Sequence, residues 1–198
     1  PTDPTLLLKV LKPRADTAKR ARLATLTEAA FPRIRTRWAR KEYSEYLRLM
    51  LGPWHAPIRP PISHMYGFVQ TNLGLGCLSD AVTDGADLGK TLRQKLADET
   101  ITDADLSLLN DAIQRMFLYD IRAGDMTARN FVFGHRAEAG TKGPRECVLV
   151  DGFGDIHAIP IRSCGRWFNH KGLDDSCARL ARKTGLQWDP KQRQFHHT

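Results

Sequence analysis

Gly124-Asp125-Met126-Thr127-Ala128-Arg129-Asn130 is followed, after a strand-like run and a polar turn, by Val148-Leu149-Val150-Asp151-Gly152-Phe153-Gly154-Asp155. The first stretch sets an Asp and an Asn five residues apart, after a long helical pattern and before a strand. The second ends an apolar run on an Asp and continues into glycine-rich backbone. Phosphoryl transfer asks for these residue types. A carboxylate accepts the acceptor hydroxyl's proton, an amide oxygen and a second carboxylate hold Mg²⁺, and glycines let the backbone turn close to phosphate. Asp125, Asn130 and Asp151 match those jobs in chain order. The plain alternative is turn chemistry: Asp and Asn are common where helices end, and Asp-Gly is common where strands end. The three together favour the chemical reading. Phe153 reads as a core aromatic. Asp155 reads as a solvated turn acid rather than a third carboxylate beside a metal.

Working outward, Thr102 with Asp105 three residues on predicts a capped helix to about Ile121, with Leu106, Leu109, Ile113, Met116 and Phe117 on its apolar face. Asn130–Gly134 and Cys147–Val150 predict a β-hairpin around a polar turn. Ser163–Gln187 predicts a helix, and His196-His197 reads as a tail. Upstream, Lys90–Glu99 predicts a helix and Gly85–Gly89 a turn. Leu73–Gly76 (LGLG) predicts a flexible joint, and Cys77–Val82 a short helix or turn. Met65–Asn72 predicts a strand, preceded by a proline-rich loop over 52–64. Residues 33–51 predict a strong helix with Trp38, Ala39, Tyr43, Tyr46, Leu47 and Met50 as its buried stripe. Ala15–Ala30 reads as helix or a mobile basic segment, interrupted by Pro32. Leu6–Leu11 is short enough to favour a strand. Within it, Lys9 shares a face with Leu7 and Leu11. A lysine on an apolar face needs a partner, and Glu42 or Glu45 could supply it; the alternative is a strand-edge lysine in solvent. The element order is that of an α+β protein, with most helix in the second half.

Composition narrows the classes. The 198 residues are 41% hydrophobic and 26% charged, which is ordinary for a globular chain and excludes a mainly disordered or fibrous one. No stretch approaches the roughly 18 apolar residues of a membrane span. No charged-then-apolar leader opens the chain, so a cytoplasmic location is expected. Cys77, Cys147, Cys164 and Cys177 form no C-x-x-C pair and read as thiols in a reducing compartment. The net charge of +8 is uneven: residues 1–50 hold 12 Lys/Arg against 5 Asp/Glu. A solvated face explains such a run most simply. Nucleic-acid binding is disfavoured, because no binding motif or interleaved aromatics accompany the arginines.

At this point the chain resembles the protein-kinase-like superfamily. Its catalytic loop pattern H-x-D-x-x-x-x-N is met by Ala123-Gly124-Asp125 with Asn130, and its metal-binding D-F-G by Asp151-Gly152-Phe153-Gly154, with one extra Gly. More narrowly, it resembles the PhoP regulatory network protein YrbL family of small bacterial kinase-like proteins. The supporting pieces are Pro1-Thr2-Asp3-Pro4 before Leu8-Lys9-Val10, Lys41-Glu42 with Tyr46, Gly67-x-Val69-x-Thr71-x-x-Gly74-x-Gly76, the Asp125–Asn130 loop, and Asp151–Gly154 with Ile159-Pro160. They span about residues 1–160.

The resemblance implies a bilobal α+β fold, with a small mixed lobe over 1–72 and a mainly helical lobe over 73–198. It implies ATP and Mg²⁺ between them. Lys9 would contact the α/β-phosphates and Glu42 would pair with Lys9. Gln70, Thr71 and Asn72 would form the hinge beside adenine. Asp125 would be the base, and Asn130 and Asp151 would hold magnesium. The implied activity is transfer of the γ-phosphoryl of ATP to an unidentified hydroxyl acceptor. The rival is a non-catalytic kinase-like regulator that binds nucleotide or a protein partner. The chain departs from the superfamily pattern in three places: Ala123 stands where the loop His would be, no A-P-E element is recognisable, and no Gly-rich phosphate loop precedes Lys9. That loop and two strands are expected upstream of Pro1.

Overall fold

The computed structural model describes residues 3–10, 37–138, 141–155 and 161–197. The basic segment Ala15–Ala30, Pro32, the side chain of Trp38 and Ile159-Pro160 lie outside the described residues. Strand β1 (Leu6–Val10) is followed by α1 (Arg37–Met50), β2 (Met65–Thr71) and β3 (Gly74–Asp80). Two short strands, β4 (Thr83–Asp84) and β5 (Asp87–Leu88), lead to α2 (Leu92–Ala97) and α3 (Asp103–Leu118). A long hairpin, β6 (Phe131–Glu138) and β7 (Thr141–Leu149), then precedes a 3₁₀ turn (Ile161–Cys164), α4 (Arg166–Thr184) and a last hairpin, β8 (Gln187–Asp189) with β9 (Gln194–His196). The fold class is α+β, as expected.

All pairs of named strands are antiparallel; short turns join β2 to β3, β4 to β5, β6 to β7 and β8 to β9, while helices intervene between β1 and β3 and between β4 and β6. The first sheet has the order β1-β3-β2, the second β5-β4-β6-β7, and β8-β9 stand alone. β3 corrects the sequence reading at residues 73–82. Leu73–Gly76 is not a flexible joint, and Cys77–Val82 is not a helix or turn. Gly74–Asp80 is the central strand, paired with β1 on one side and β2 on the other. Gly74, Gly76, Ser79 and Asp80 hid it, but Gly76 serves packing: a Cβ there would come 2.7 Å from Leu8 Cδ1. The chain leaves this sheet at Asp80 and reaches the second sheet at Thr83, where Thr83 pairs with His135. The final hairpin is also new, and His196, read as part of a tail, ends its second strand. Phe195 is fully buried there, with Asn110 of α3 bonded to its backbone on both sides, at 2.6 and 3.0 Å.

One core runs through both sheets and the helices, from Tyr46 and Leu49 on α1 to Phe131, Phe133 and Phe195. The capping boxes formed by Thr91 with Gln94 and by Thr102 with Asp105 start α2 and α3. Helix α1 sits differently from its apolar pattern. Leu47 and Met50 are exposed, while Ala39, Glu42, Glu45, Tyr46 and Leu49 are buried. Two carboxylates therefore occupy the inner face, and this rotation creates the site described next.

Candidate functional site

Lys9 lies mid-strand, opposite Cys77 of the central strand. Its face of the sheet looks toward α1, as Phe68, also opposite Cys77, stacks on Tyr43 at 5.1 Å between centroids. Lys9 Nζ lies 2.8 Å from Asp151 Oδ2 and 3.7 Å from Glu42 Oε2. Glu42 is thus the partner within reach of Lys9. Glu45 is engaged elsewhere, holding Arg48 at 2.6 Å and accepting the Arg122 backbone N–H at 2.8 Å.

Gly152 joins the acidic pair from below. Its N–H donates to Glu42 Oε1 at 3.0 Å and to Asp151 Oδ1 at 2.8 Å. Its carbonyl accepts the N–H groups of Gly124 and Asp125, each at 3.1 Å. Only glycine serves here. The backbone stands at φ +82°, and an added Cβ would lie 2.5 Å from Asp125 O and 2.9 Å from Asp125 Cβ. The catalytic-loop candidate and the Asp-Gly-Phe-Gly segment are further stitched by backbone bridges from Ala123 to Phe153 and Gly154. Phe153 is a core aromatic, as expected, at 1% exposure.

Asn130 is held by its own loop. Its side-chain N–H donates to Asp125 O at 2.9 Å, and its backbone carbonyl accepts from Val150 N at 2.8 Å. That bond turns the amide oxygen away from Asp125 O. The Asp125 carboxylate is exposed while its backbone is fully bonded.

Electrostatics divide the two acids. Burial pushes the Glu42 carboxyl up to about 8, reinforced by the hydrogen bond to Asp151 and opposed by Lys9. Burial also acts on Asp151, but Glu42's hydrogen bond and the Lys9 charge outweigh it and hold Asp151 below the usual carboxylate range. Lys9 loses solvation as well, yet the two acids keep it above its ordinary value. At neutral pH the cluster is therefore Lys9⁺ and Asp151⁻ beside a protonated Glu42.

One sequence expectation changes place. Asp155 is no solvated turn acid: it is 8% exposed, its Oδ2 accepts from Ser163 N and Oγ at 3.2 Å, and its carbonyl accepts from Lys41 Nζ. It secures the 3₁₀ turn. Gln70, Thr71 and Asn72 lie at the β2–β3 turn, where Thr71 pairs with Gly74. Along β2 that is three residues beyond Phe68, the residue level with Lys9, or about 10 Å of strand. They do not join the cluster.

The apolar residues nearest the crossing between sheets are Val82, Val132 and Val148, with Val150 packed against them. Sequence reading placed Val132, Val148 and Val150 in a hairpin but missed that Val82, about fifty residues earlier, packs with them. It also missed Thr127, two residues after Asp125, whose buried hydroxyl has no hydrogen-bond partner among the described residues.

The oxygen donors suit a hard cation. Asp151 and the Asn130 amide oxygen are donors of the kind that would hold Mg²⁺ if substrate phosphates supplied the rest. No cluster of three or more His, Cys, Asp or Glu fit for a metal occurs among the described residues. Among these residues no helix is long and apolar enough to cross a membrane. A family model described as PhoP regulatory network protein YrbL matches residues 1–185. No curated protein matches the chain.

Proposed function

The chain belongs to the PhoP regulatory network protein YrbL family, and from that premise we propose that it is a kinase-like ATP/Mg²⁺-binding protein and a phosphotransferase acting on a hydroxyl acceptor. One observation carries the reading. Lys9 on β1, Glu42 on α1 and Asp151 just after β7 lie far apart in sequence, yet Lys9 Nζ reaches both acids within 3.7 Å, beside the loop that carries Asp125 and Asn130.

In this reading the β1–β3–β2 sheet with α1 is the small lobe, and the boundary falls at Ala81–Val82 rather than after residue 72. The adenine edge moves with it, from Gln70–Asn72 to the segment leaving β3, beside Val82, Val132 and Val150. Lys9 binds the α/β-phosphates and Glu42 orients Lys9. Asn130 and Asp151 hold magnesium, which when bound neutralises charge on the phosphates. Asp125 positions the acceptor hydroxyl and takes its proton as the γ-phosphoryl moves in line. Gly152 fixes the spacing between Asp151 and Asp125 through its two-sided hydrogen bonding.

The purified protein is expected to consume ATP with Mg²⁺, and Asp125→Asn to lose that turnover while keeping an ATP-dependent rise in melting temperature. Equal turnover in Asp125→Asn removes the assigned base. No ATP-dependent shift in the wild type removes nucleotide binding altogether. A shift without turnover selects the second reading, a regulator that binds nucleotide and acts through a protein partner. That reading is favoured by Ala123 in place of the loop His and by the family's description as a regulatory network protein.

A further inference from the structure

Helix α4 turns one face to solvent along most of its length. Asn169, Leu173, Ser176, Cys177, Leu180 and Ala181 form its buried side. Opposite them, at helical spacing, run Trp167, Phe168, Lys171, Asp175, Arg179 and Arg182, all exposed.

The N-terminal end of this stripe is aromatic. Trp167 is the most exposed aromatic side chain among the described residues, at 67%, and Phe168 beside it is 45% exposed. The two rings meet edge-on at 5.0 Å between centroids, and Lys171 Nζ lies 5.7 Å from the Trp167 ring centroid. These contacts all lie within the first two turns of the helix. On the flank of the same turns, the His170 ring meets Phe117 at 5.2 Å, and the next residue of α3, Leu118, is also exposed.

The rest of the stripe is basic. Residues 161–198 hold 8 Lys/Arg against 3 Asp/Glu, a second concentration of positive charge apart from that of residues 1–50. The acids around α4 are mostly turned elsewhere. Asp174, on the flank, lies in the field of Arg193 and His170. Asp189 of β8 accepts the backbone N–H groups of Lys191 and Gln192 in its own hairpin. Asp120, at the end of α3, accepts from Asn169, and Asp155 accepts from Ser163. Asp175 alone stands on the exposed stripe, against Lys171, Arg179 and Arg182, with Lys183 exposed beside them.

Exposed Trp and Phe at one end of a helix, with Lys and Arg along the same outer face, is the pattern of a segment that lies in a membrane–water interface. The rings take up headgroup depth and the cations meet anionic headgroups. No helix among the described residues is long and apolar enough to cross a membrane, so the contact is with the surface. A second copy of this face would set like charges against each other. Nucleic acid would use flat ring faces as stacking platforms, but these two rings stand 83° apart and Lys171 lies over the indole.

We propose that the exposed face of α4 docks on an anionic phospholipid surface, with Trp167 and Phe168 entering the headgroup region and Lys171, Arg179, Arg182 and Lys183 facing its phosphates.

Co-sedimentation of the full chain with phosphatidylcholine vesicles, with and without phosphatidylglycerol, tests this, with tryptophan emission as a second readout. Binding to the anionic vesicles is expected to be about tenfold stronger than to the neutral ones, and to weaken as salt is raised. Emission moves to the blue on anionic vesicles, and less so in Trp167→Phe. Replacing both rings, Trp167→Ser with Phe168→Ser, weakens binding several-fold with an unchanged melting curve, because neither ring is in the core. Lys171→Glu with Arg182→Glu, at exposed positions, lowers it by about tenfold or more. Equal binding to neutral and anionic vesicles, no binding to anionic vesicles at low salt, an undiminished blue shift in Trp167→Phe, or wild-type binding by both double variants each overturns the proposal. So does a single-stranded oligonucleotide or an acidic peptide that binds at a salt concentration where the anionic vesicles do not, which assigns the face to that partner instead.

Discussion

Gly152 shows how much one residue can hold. Its N–H serves both acids of the cluster, its carbonyl serves two N–H groups of the Asp125 loop, and its φ of +82° suits no side chain. Gly152→Ala is expected to cost about 1–3 kcal/mol from backbone strain alone, plus whatever the 2.5 Å approach to Asp125 O forces on that loop. Denaturant unfolding measures it, and a midpoint equal to wild type would refute the assignment. Glu42 makes a pH prediction. Its folded-state carboxyl, at about 8, lies above its unfolded value. Such a group contributes stability that is fully present below the unfolded carboxyl range, near pH 4, and is lost as pH rises through 8. Melting temperature is therefore expected to fall between pH 5 and 8.5 relative to Glu42→Gln, which removes this titration. Parallel profiles for the two proteins would show that Glu42 is not the titrating group.

At the scale of elements, α1 is the informative one. An apolar stripe over Tyr43, Tyr46, Leu47 and Met50 is a sound reading of its periodicity, yet the helix turns Glu42 and Glu45 inward and leaves Leu47 exposed. Salt bridges and backbone donors on the neighbouring segments drive that rotation. Glu45 accepts from Arg48 and from the Arg122 backbone, and the Arg122 guanidinium lies 3.6 Å from it. Glu45→Ala strands these donors and is expected to cost about 2–3 kcal/mol. Leu47→Ala stays within about 0.5 kcal/mol. Thermal unfolding of the two variants distinguishes the observed face from the one expected from hydropathy, which reverses the order. Strand β3 carries the same lesson. Its GLGCLSD sequence has weak strand propensity, and it becomes a strand because β1 and β2 offer ladders on both sides.

Across the whole molecule, Arg136 is the tie between the parts. It is 4% exposed and bonds β7 through Glu146 and the 60–62 loop through two carbonyls, while facing Asp80 at the end of β3. Removing one partner of such a buried network leaves the others uncompensated, so Arg136→Ala is expected to lose about 3–5 kcal/mol. Cooperative unfolding by fluorescence and circular dichroism measures that loss. Coincident wild-type midpoints would be retained if the tie were only local. Family membership, the α+β class, the positions of β1, β2, α3 and the β6–β7 hairpin, and the order Lys9, Glu42, Asp125, Asn130, Asp151 were all legible in the chain. Each rests on local pattern: a cap, an alternation, a short motif. The inward turn of α1, the central place of β3 and the buried network of Arg136 with Glu146 were not. They depend on which elements stack against which, and a buried carboxylate looks in sequence the same as a solvated one until its partners, many residues away, are brought beside it.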